Sequence, residues 1–201
     1  MNNKFSDPHS LPISCACYLK NDKDVICYVD CSGTIKTLDF TKPNLKPVMI
    51  SHAKKNYAQI SVTTLVSTSN GFIFLGDAEG KLHIYKNTSQ KYNQTVLKIH
   101  SARVNSLELS NSEDYLITAS NDKSVKVYSV GCNAKTLSEC VRFEFSVTLH
   151  NSFVIKASLN AQQKRTASID SKRFIYADIE TKKEICSYPS LISEFLSFTF
   201  S

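Results

Sequence analysis

One pattern recurs four times along the chain and restricts its fold more than any other feature. In each unit, a polar turn separates two short apolar segments, and a tight turn then leads into a third. The apolar segments are rich in β-branched and aromatic residues, which favours strands over helices. No window shows sustained helical periodicity. The sequence therefore predicts an all-β fold built from four repeats, over residues 13–40, 62–86, 104–130 and 154–180.

The period of the repeat indicates the architecture. Equivalent positions in the third segment lie 47, 43 and 49 residues apart, at Leu38, Tyr85, Tyr128 and Ala177. A further apolar segment connects each unit to the next, so that each unit has four strands. Repeats of about 40–45 residues with four strands each are the blades of a β-propeller. We predict four blades and one strand of a fifth, with approximate bounds 13–52, 60–100, 104–150, 153–189 and 191–201, after an N-terminal tail over 1–12.

The third unit resembles a repeat of the WD-repeat β-propeller family. Residues 100–104 (HSARV) are similar to the His-containing loop that enters such a repeat. Residues 120–122 (SND) resemble its Ser-x-Asp turn, and residues 125–128 (VKVY) resemble its third strand, with Tyr where the family often has Trp. The resemblance implies a buried hydrogen-bond network that fastens the blade. Its members here would be His100, Ser120, Asp122 and Tyr128.

The other units depart from that pattern, which makes the chain a divergent member. The first has Ser32 where the turn Asp is expected. The second has Glu79 before Gly80. The fourth has Ser171 by strict counting, or Asp170 if the register slips by one residue. The long polar loops and the absence of Trp also give a fainter resemblance to the WD-repeat proteins of cilia and flagella.

The number of repeats leaves the ring incomplete. The family resemblance implies a ring that usually closes with six to eight blades, commonly seven, and seven blades need roughly 300 residues. The chain has 201 residues. A second propeller chain or a second copy of this chain would complete the ring. Otherwise the chain is part of a longer product, or an open arc with exposed edge strands that invite association.

Composition places the chain among folded, reduced proteins. Hydrophobic residues make up 42% and charged residues 21%, unlike a disordered chain. No run approaches the roughly 18 apolar residues of a membrane-spanning helix, and no basic start precedes an apolar region as in a signal peptide. Seven Cys, an odd number, predict thiols in a reducing compartment. We expect a cytoplasmic protein without membrane partners, with a cytoskeletal, ciliary or nuclear place left open.

Two clusters of reactive side chains are candidate sites. Four thiols lie in the first unit at Cys15, Cys17, Cys27 and Cys31, and four thiolates can bind zinc. The spacing lacks paired C-x2-C knuckles, so we expect buried thiols and no metal. A histidine recurs at one repeat position, at His52, His100 and His150. Such recurrence is typical of a structural residue, and no catalytic signature accompanies it, so we expect neither enzyme activity nor a cofactor.

The predicted function is a non-catalytic scaffold for protein–protein interaction in an intracellular multiprotein assembly. A propeller presents loops on a rigid ring, and loops on a rigid support carry recognition. The loops expected to bind other proteins are residues 54–59 and 131–138. The alternative is a propeller of an RNA-processing or other nucleic-acid-associated particle. A net charge of +6 is modest for such a role, and nucleic acid is not the expected partner.

Overall fold

The computed structural model describes residues 11–42, 46–52, 60–88, 91–131, 136–162 and 164–189, and all regular structure in these ranges is β-strand. Sixteen strands form four antiparallel sheets of four, each in sequence order. Blade one contains β1 (Ile13–Leu19), β2 (Asp22–Asp30), β3 (Thr34–Asp39) and β4 (Val48–His52). Blade two contains β5 (Val62–Ser67), β6 (Phe72–Asp77), β7 (Lys81–Thr88) and β8 (Lys91–Lys98).

The other two blades repeat this arrangement. Blade three contains β9 (Val104–Leu109), β10 (Tyr115–Ser120), β11 (Val125–Val130) and β12 (Val141–Val147). Blade four contains β13 (Val154–Asn160), β14 (Arg165–Asp170), β15 (Arg173–Asp178) and β16 (Glu184–Pro189). The four sheets form an open arc, which confirms the predicted all-β propeller segment. The predicted strand over 191–201 and most of the predicted tail lie outside the described residues.

The core lies between blades, and the sheets of blades two and three bury both of their faces. On β6, alternate side chains point to opposite faces. Phe72 and Phe74 pack toward blade three, whereas Ile73 and Leu75 pack toward blade one. A third cluster joins blades three and four, and includes Ile117, Val127, Val154, Leu159 and Ile175. Full burial of one such side chain contributes about 1.5–3 kcal/mol, so each blade depends on its neighbours.

A β-bulge near the start of each first strand directs one side chain out of the sheet. The pairing register shifts after the first residue of β1, β5, β9 and β13. A bulge leaves the extra residue unpaired and re-aims its side chain. In β5 that residue is Thr63, whose hydroxyl donates to the carbonyl of Val104 in the next blade. In β9 it is Asn105, whose amide donates to the carbonyl of Val154 at 2.7 Å.

A second polar contact joins the same pairs of blades. The hydroxyl of Thr64 accepts the Leu107 amide at 3.3 Å, and the hydroxyl of Ser106 accepts the Ala157 amide at 3.3 Å. We call these contacts between consecutive first strands the inter-blade bonds. They repeat because Thr64 and Ser106 hold the same place in β5 and β9. The first strands therefore form a continuous inner wall, to which the outer strands are attached.

The two rims of the arc have different connections. The upper rim holds the turns between second and third strands, together with the connections between blades. The lower rim holds the turns between first and second strands and between third and fourth strands. Within the described residues, no helix is long and apolar enough to cross a bilayer.

Candidate functional site

The turns of the upper rim share one backbone conformation in the first three blades. Three residues after the second strand ends, the backbone takes a positive φ, of 77° at Gly33, 81° at Gly80 and 69° at Lys123. Gly80 has a second reason to lack a side chain. A Cβ there would lie 2.4 Å from the carbonyl oxygen of His100 and 2.5 Å from that of Ala102. The turn is therefore packed directly against the connection that enters the next blade.

In blade three a buried histidine fastens this turn. The Nδ1 of His100 lies 2.8 Å from Asp122 Oδ2, and its Nε2 lies 2.7 Å from the hydroxyl of Thr118. The hydroxyl of Ser124 donates to the other Asp122 oxygen at 2.6 Å. The amide of Ser101 also donates to Asp122. The entering loop, the second strand and the turn are thus held together through one imidazole and one carboxylate.

Two of the predicted network members lie elsewhere in this arrangement. The hydroxyl that meets His100 belongs to Thr118, and Ser120 instead donates to the carbonyl of Ala102 at 3.2 Å. Tyr128 is buried, and its hydroxyl donates to the carbonyl of Ile99 at 3.4 Å. The structure brings His100 and Asp122 into direct contact, with Ser120 and Tyr128 bonded to the backbone around them.

Blade four builds the same contact from a different aspartate. The Nδ1 of His150 lies 2.8 Å from Asp170 Oδ2, and its Nε2 lies 2.7 Å from the hydroxyl of Ser168. Asp170 is the last residue of β14, a position that Ser120 holds in blade three. Of the two alternatives in the fourth repeat, Asp170 is the one that meets the histidine. Its other oxygen accepts the amides of Lys172 and Arg173, both at 2.7 Å.

The first two blades also end their second strand with a buried aspartate. In blade two, Asp77 Oδ2 lies 2.8 Å from Nε2 of His83, a residue of the third strand. In blade one, Asp30 accepts the hydroxyl of Ser32 at 2.5 Å and lies 3.5 Å from Lys36 Nζ. His83 has no sequence signal for this role, because it sits among apolar residues of β7. The side chain of His52 lies outside the described residues.

The protonation of the two histidine pairs follows from their surroundings. Burial lowers the pKa of His100 and of His150 below the ordinary value, although the neighbouring aspartates act in the opposite direction. Burial acts to raise the pKa of Asp122, but the Ser124 hydroxyl and His100 outweigh it and lower the pKa to about 2. An ionised carboxylate only accepts hydrogen bonds. Each neutral imidazole therefore donates from Nδ1, which is a stable arrangement for a structural contact.

The thiols of blade one are part of the core. Cys27 is buried, and Cys15 and Cys17 pack against the cluster between blades one and two. Burial raises the pKa of Cys15 to about 12 and that of Cys17 to about 11. Cys31 is exposed. Over the described part of the chain, no group of His, Cys, Asp or Glu side chains is arranged to hold a metal ion.

The exposed part of the upper rim is apolar and basic where blades three and four meet. The side chain of Phe153 is 56% exposed. The backbone amide of Asn121 donates to the carbonyl of Arg103. The side-chain amide of Asn105 donates both to the side-chain oxygen of Asn121 and to the carbonyl of Val154. These bonds bring the loops of both blades together. The upper patch, as we name it, consists of Arg103, Lys123, Phe153 and Lys172.

The loops predicted to bind partners have different outcomes. Residues 54–59 lie outside the described residues. In the second loop, Leu137 packs against the core cluster between blades two and three, and the Cys140 thiol donates to the Leu137 carbonyl. This part of the loop is therefore an element of the fold.

Comparison with known proteins agrees with this geometry. Residues 91–129 match the family "WD domain, G-beta repeat". Among solved structures, the chain is similar to the β-propeller domain of Cps50 (Swd1) from Myceliophteria thermophila, with a TM-score of 0.76 and 16% identity. The match covers 91% of this chain and 62% of that domain. No curated protein matches the chain. The matched repeat and the four blades of one topology support the predicted resemblance of this chain to the WD-repeat β-propeller family.

Proposed function

We propose that the chain is a non-catalytic scaffold that holds other proteins in a multiprotein assembly. WD-repeat propellers generally mediate protein–protein interaction, and the buried His–Asp pairs of this chain serve its own turns. The observation that carries the proposal is the upper patch. A large aromatic side chain is exposed on a rim where the Asn105 side chain of blade three donates to the backbone of blade four.

The chemistry of the upper patch suits a protein partner. Aromatic and arginine side chains supply most of the binding energy in protein interfaces. Phe153 would bury its ring against a partner, while Arg103, Lys123 and Lys172 are exposed on the same rim and carry positive charge. None of these three cations forms an ion pair with another described residue. A complementary partner surface is apolar at its centre and acidic around it.

The experiment is cross-linking of the full-length protein in the cells that express it, followed by mass spectrometry. Wild-type protein is compared with a Phe153→Ala, Lys172→Glu double variant. The matched control is Ile185→Ala, which removes a 49% exposed apolar side chain from β16. We expect partners to cross-link with wild type and control, and to be lost from the double variant. A chain that migrates at its own monomer mass in native lysate would contradict the scaffold.

A nucleic-acid-associated particle is the second candidate function, and the exposed cations of the upper patch favour it. Contacts with phosphate make affinity fall steeply with salt. Filter binding with a single-stranded RNA between low and physiological salt distinguishes the two functions. An RNA affinity that falls steeply as salt rises, together with loss of RNA binding in Lys172→Glu, supports the RNA candidate. Absence of RNA binding to wild type at low salt eliminates it.

We also propose that the scaffold acts in the cytoplasm. The six cysteines within the described residues are free thiols, which supports a reducing compartment.

A second propeller chain or a second copy remains our proposed way to complete the ring. Light scattering of the purified chain tests this point, because a dimer has twice the mass of 22.5 kDa. The resemblance to ciliary and flagellar proteins stays a prediction.

A further inference from the structure

The lower rim has an equivalent space between each pair of neighbouring blades. Between blades three and four, this space is a groove of about 330 Å³. Its walls are mainly apolar, and its edge carries the charged side chains of Glu144, Lys164 and Glu180. The volume is within the range of ligand-binding clefts. We call it the 3–4 groove.

Between blades two and three, the chain fills the equivalent space with its own side chains. The strand registers make Phe72, Ile84, Leu109 and Val130 the counterparts of Tyr115, Val127, Leu159 and Ile179, which line the 3–4 groove. Of the first four, Phe72, Ile84 and Val130 belong to one buried core cluster, and Leu109 packs against it. Leu137 packs against that cluster and Cys140 is buried within it. Residues 136–140 therefore act as an internal cap.

Blade four lacks such a cap because its corresponding turn is short. The amide of Asp178 donates to the carbonyl of Lys183 at 2.9 Å and closes the turn between β15 and β16. Glu180 lies on that turn and pairs with Lys164 at the edge of the groove. The apolar walls of the 3–4 groove are thus left without the aliphatic side chain that covers their counterparts.

The space between blades one and two is open as well, but its chemistry differs. It measures about 300 Å³ and is lined by Asn21, Asp22, Asp39 and Lys42 together with a few apolar residues. Polar walls do not favour an apolar occupant. The three spaces thus differ in a way that selects one of them as a docking site.

We propose that the 3–4 groove binds a peptide segment of a partner protein that inserts one leucine-sized aliphatic side chain and has basic residues beside it. The internal cap shows which occupant this space accepts, because Leu137 is the residue that covers the equivalent walls. The basic residues follow from the edge. Among the residues that line the groove, Glu144 and Glu180 carry two negative charges and Lys164 one positive charge. Arg142 does not line the groove, and its Nε reaches Glu144 at 3.5 Å from a side chain that is 81% exposed, so this surface pair is weak. The inference rests on the proposed scaffold function and names one of its contact surfaces.

The test uses the folded full chain and a fluorescein-labelled peptide, KRTLSALRK, which keeps the Thr-Leu-Ser of the cap between basic ends. Fluorescence anisotropy measures its affinity. Ala161→Phe fills the groove, and Glu144→Lys reverses charge at its edge. The matched control is Asp39→Lys, which reverses charge in the space between blades one and two. A peptide with its first leucine replaced by alanine probes the inserted side chain.

We expect saturable binding to wild type, about tenfold weaker binding to each groove variant, and an unchanged affinity for Asp39→Lys. The alanine peptide should also bind about tenfold more weakly. If Ala161→Phe does not fold, as judged by circular dichroism, Glu144→Lys still decides. Absence of binding to wild type, or equal binding to wild type and Glu144→Lys, overturns the groove. Failure of the scaffold function is seen in a different experiment, because the cross-links to partners depend on Phe153 and Lys172 at the opposite rim.

Discussion

Blades three and four hold a buried histidine in the same way but take the aspartate from different places. In blade three the partner of His100 is Asp122, two residues beyond the end of the second strand. In blade four the partner of His150 is Asp170, the last residue of that strand. The Nδ1–Oδ2 distance is 2.8 Å in both. The position of the carboxylate in space is therefore preserved, although its position in sequence is not.

The difference in turn length explains how both arrangements work. Ser120 is separated from Val125 by four residues, whereas Asp170 is separated from Phe174 by three. In the shorter turn, Asp170 accepts the amides of Lys172 and Arg173 itself. In the longer turn, Asp122 accepts from Ser101 and Ser124 instead. Each carboxylate satisfies the backbone donors of its own turn as well as the histidine.

The largest expected effect is removal of the aspartate in blade four. Asp170→Ala leaves buried His150 and two backbone amides without an acceptor, and should reduce the free energy of unfolding by about 3 kcal/mol. Asp122→Ala should cost about 2 kcal/mol, because that carboxylate is more exposed. Urea unfolding followed by circular dichroism measures both. Asp39→Ala, in a turn of the lower rim, is the control, and a loss of the same size there would remove the distinction.

Mildly acidic pH should weaken both histidine pairs. The folded-state pKa of His100 and of His150 lies below the ordinary value of 6.5, so below that pH the unfolded chain takes up protons first. Stability is complete above pH 6.5 and falls as the pH decreases, by at most about 1.4 kcal/mol per pH unit for each histidine. Below pH 3.8, Asp122 adds a further loss down to its pKa of about 2.

The measurement is the urea midpoint between pH 7.5 and pH 5 at constant ionic strength. His150→Gln removes one of the two titrating histidines. The urea midpoint of this variant should therefore change with pH by less than that of wild type, with the contribution of one histidine missing. A midpoint that does not change over this range in wild type would contradict the neutral assignment of both imidazoles.

Exchange of the two aspartate positions tests whether one arrangement can replace the other. Asp122→Ser should cost about 2 kcal/mol, and adding Ser120→Asp to it should recover about 1 kcal/mol, because a charged hydrogen bond to His100 is restored. Blade two already shows that an aspartate fits there, since Asp77 ends its second strand and four residues separate it from Leu82, the counterpart of Val125. A double variant less stable than the single variant would show that the turn of blade three needs its own aspartate.

The smallest effect is expected in blade one. The hydroxyl of Ser32 bonds Asp30 at 2.5 Å and Thr34 at 2.7 Å, but it is partly exposed and water can replace it. Ser32→Ala should therefore cost only about 0.5 kcal/mol. The same urea titration measures it, and a loss as large as that of Asp122→Ala would place a fastening contact in blade one too.

Much of the fold was predictable from sequence because it depends on a period. The spacing of Leu38, Tyr85, Tyr128 and Ala177 predicts four blades, and the strand registers place these residues at equivalent points. The histidine partners were only partly predictable. Thr118 and Ser168 lie two residues before a strand end, where alternation puts them on the same face as Ser120 and Asp170. That alternation was the available signal.

Other features depend on conformation and have no counterpart in the repeat pattern. Counting alone leaves Asp170 and Ser171 as alternatives, because it does not show which residue a shortened turn omits. His83 looks like a polar interruption of an apolar strand until Asp77 is seen beside it. The 3–4 groove depends on how residues 136–140 fold in a different blade. A sequence comparison of repeats does not contain that information.

The inter-blade bonds have a consequence for how the molecule opens. Each bond joins only consecutive first strands. The protection of backbone amides from hydrogen exchange in one blade should therefore depend on the blades directly beside it. Opening of blade one would expose the flank of blade two, but blades three and four would keep their mutual core. Amides in the middle of the row should be the slowest to exchange. Local unfolding would thus propagate from one blade to the next along the arc, and each pair of blades with an intact shared core would slow it.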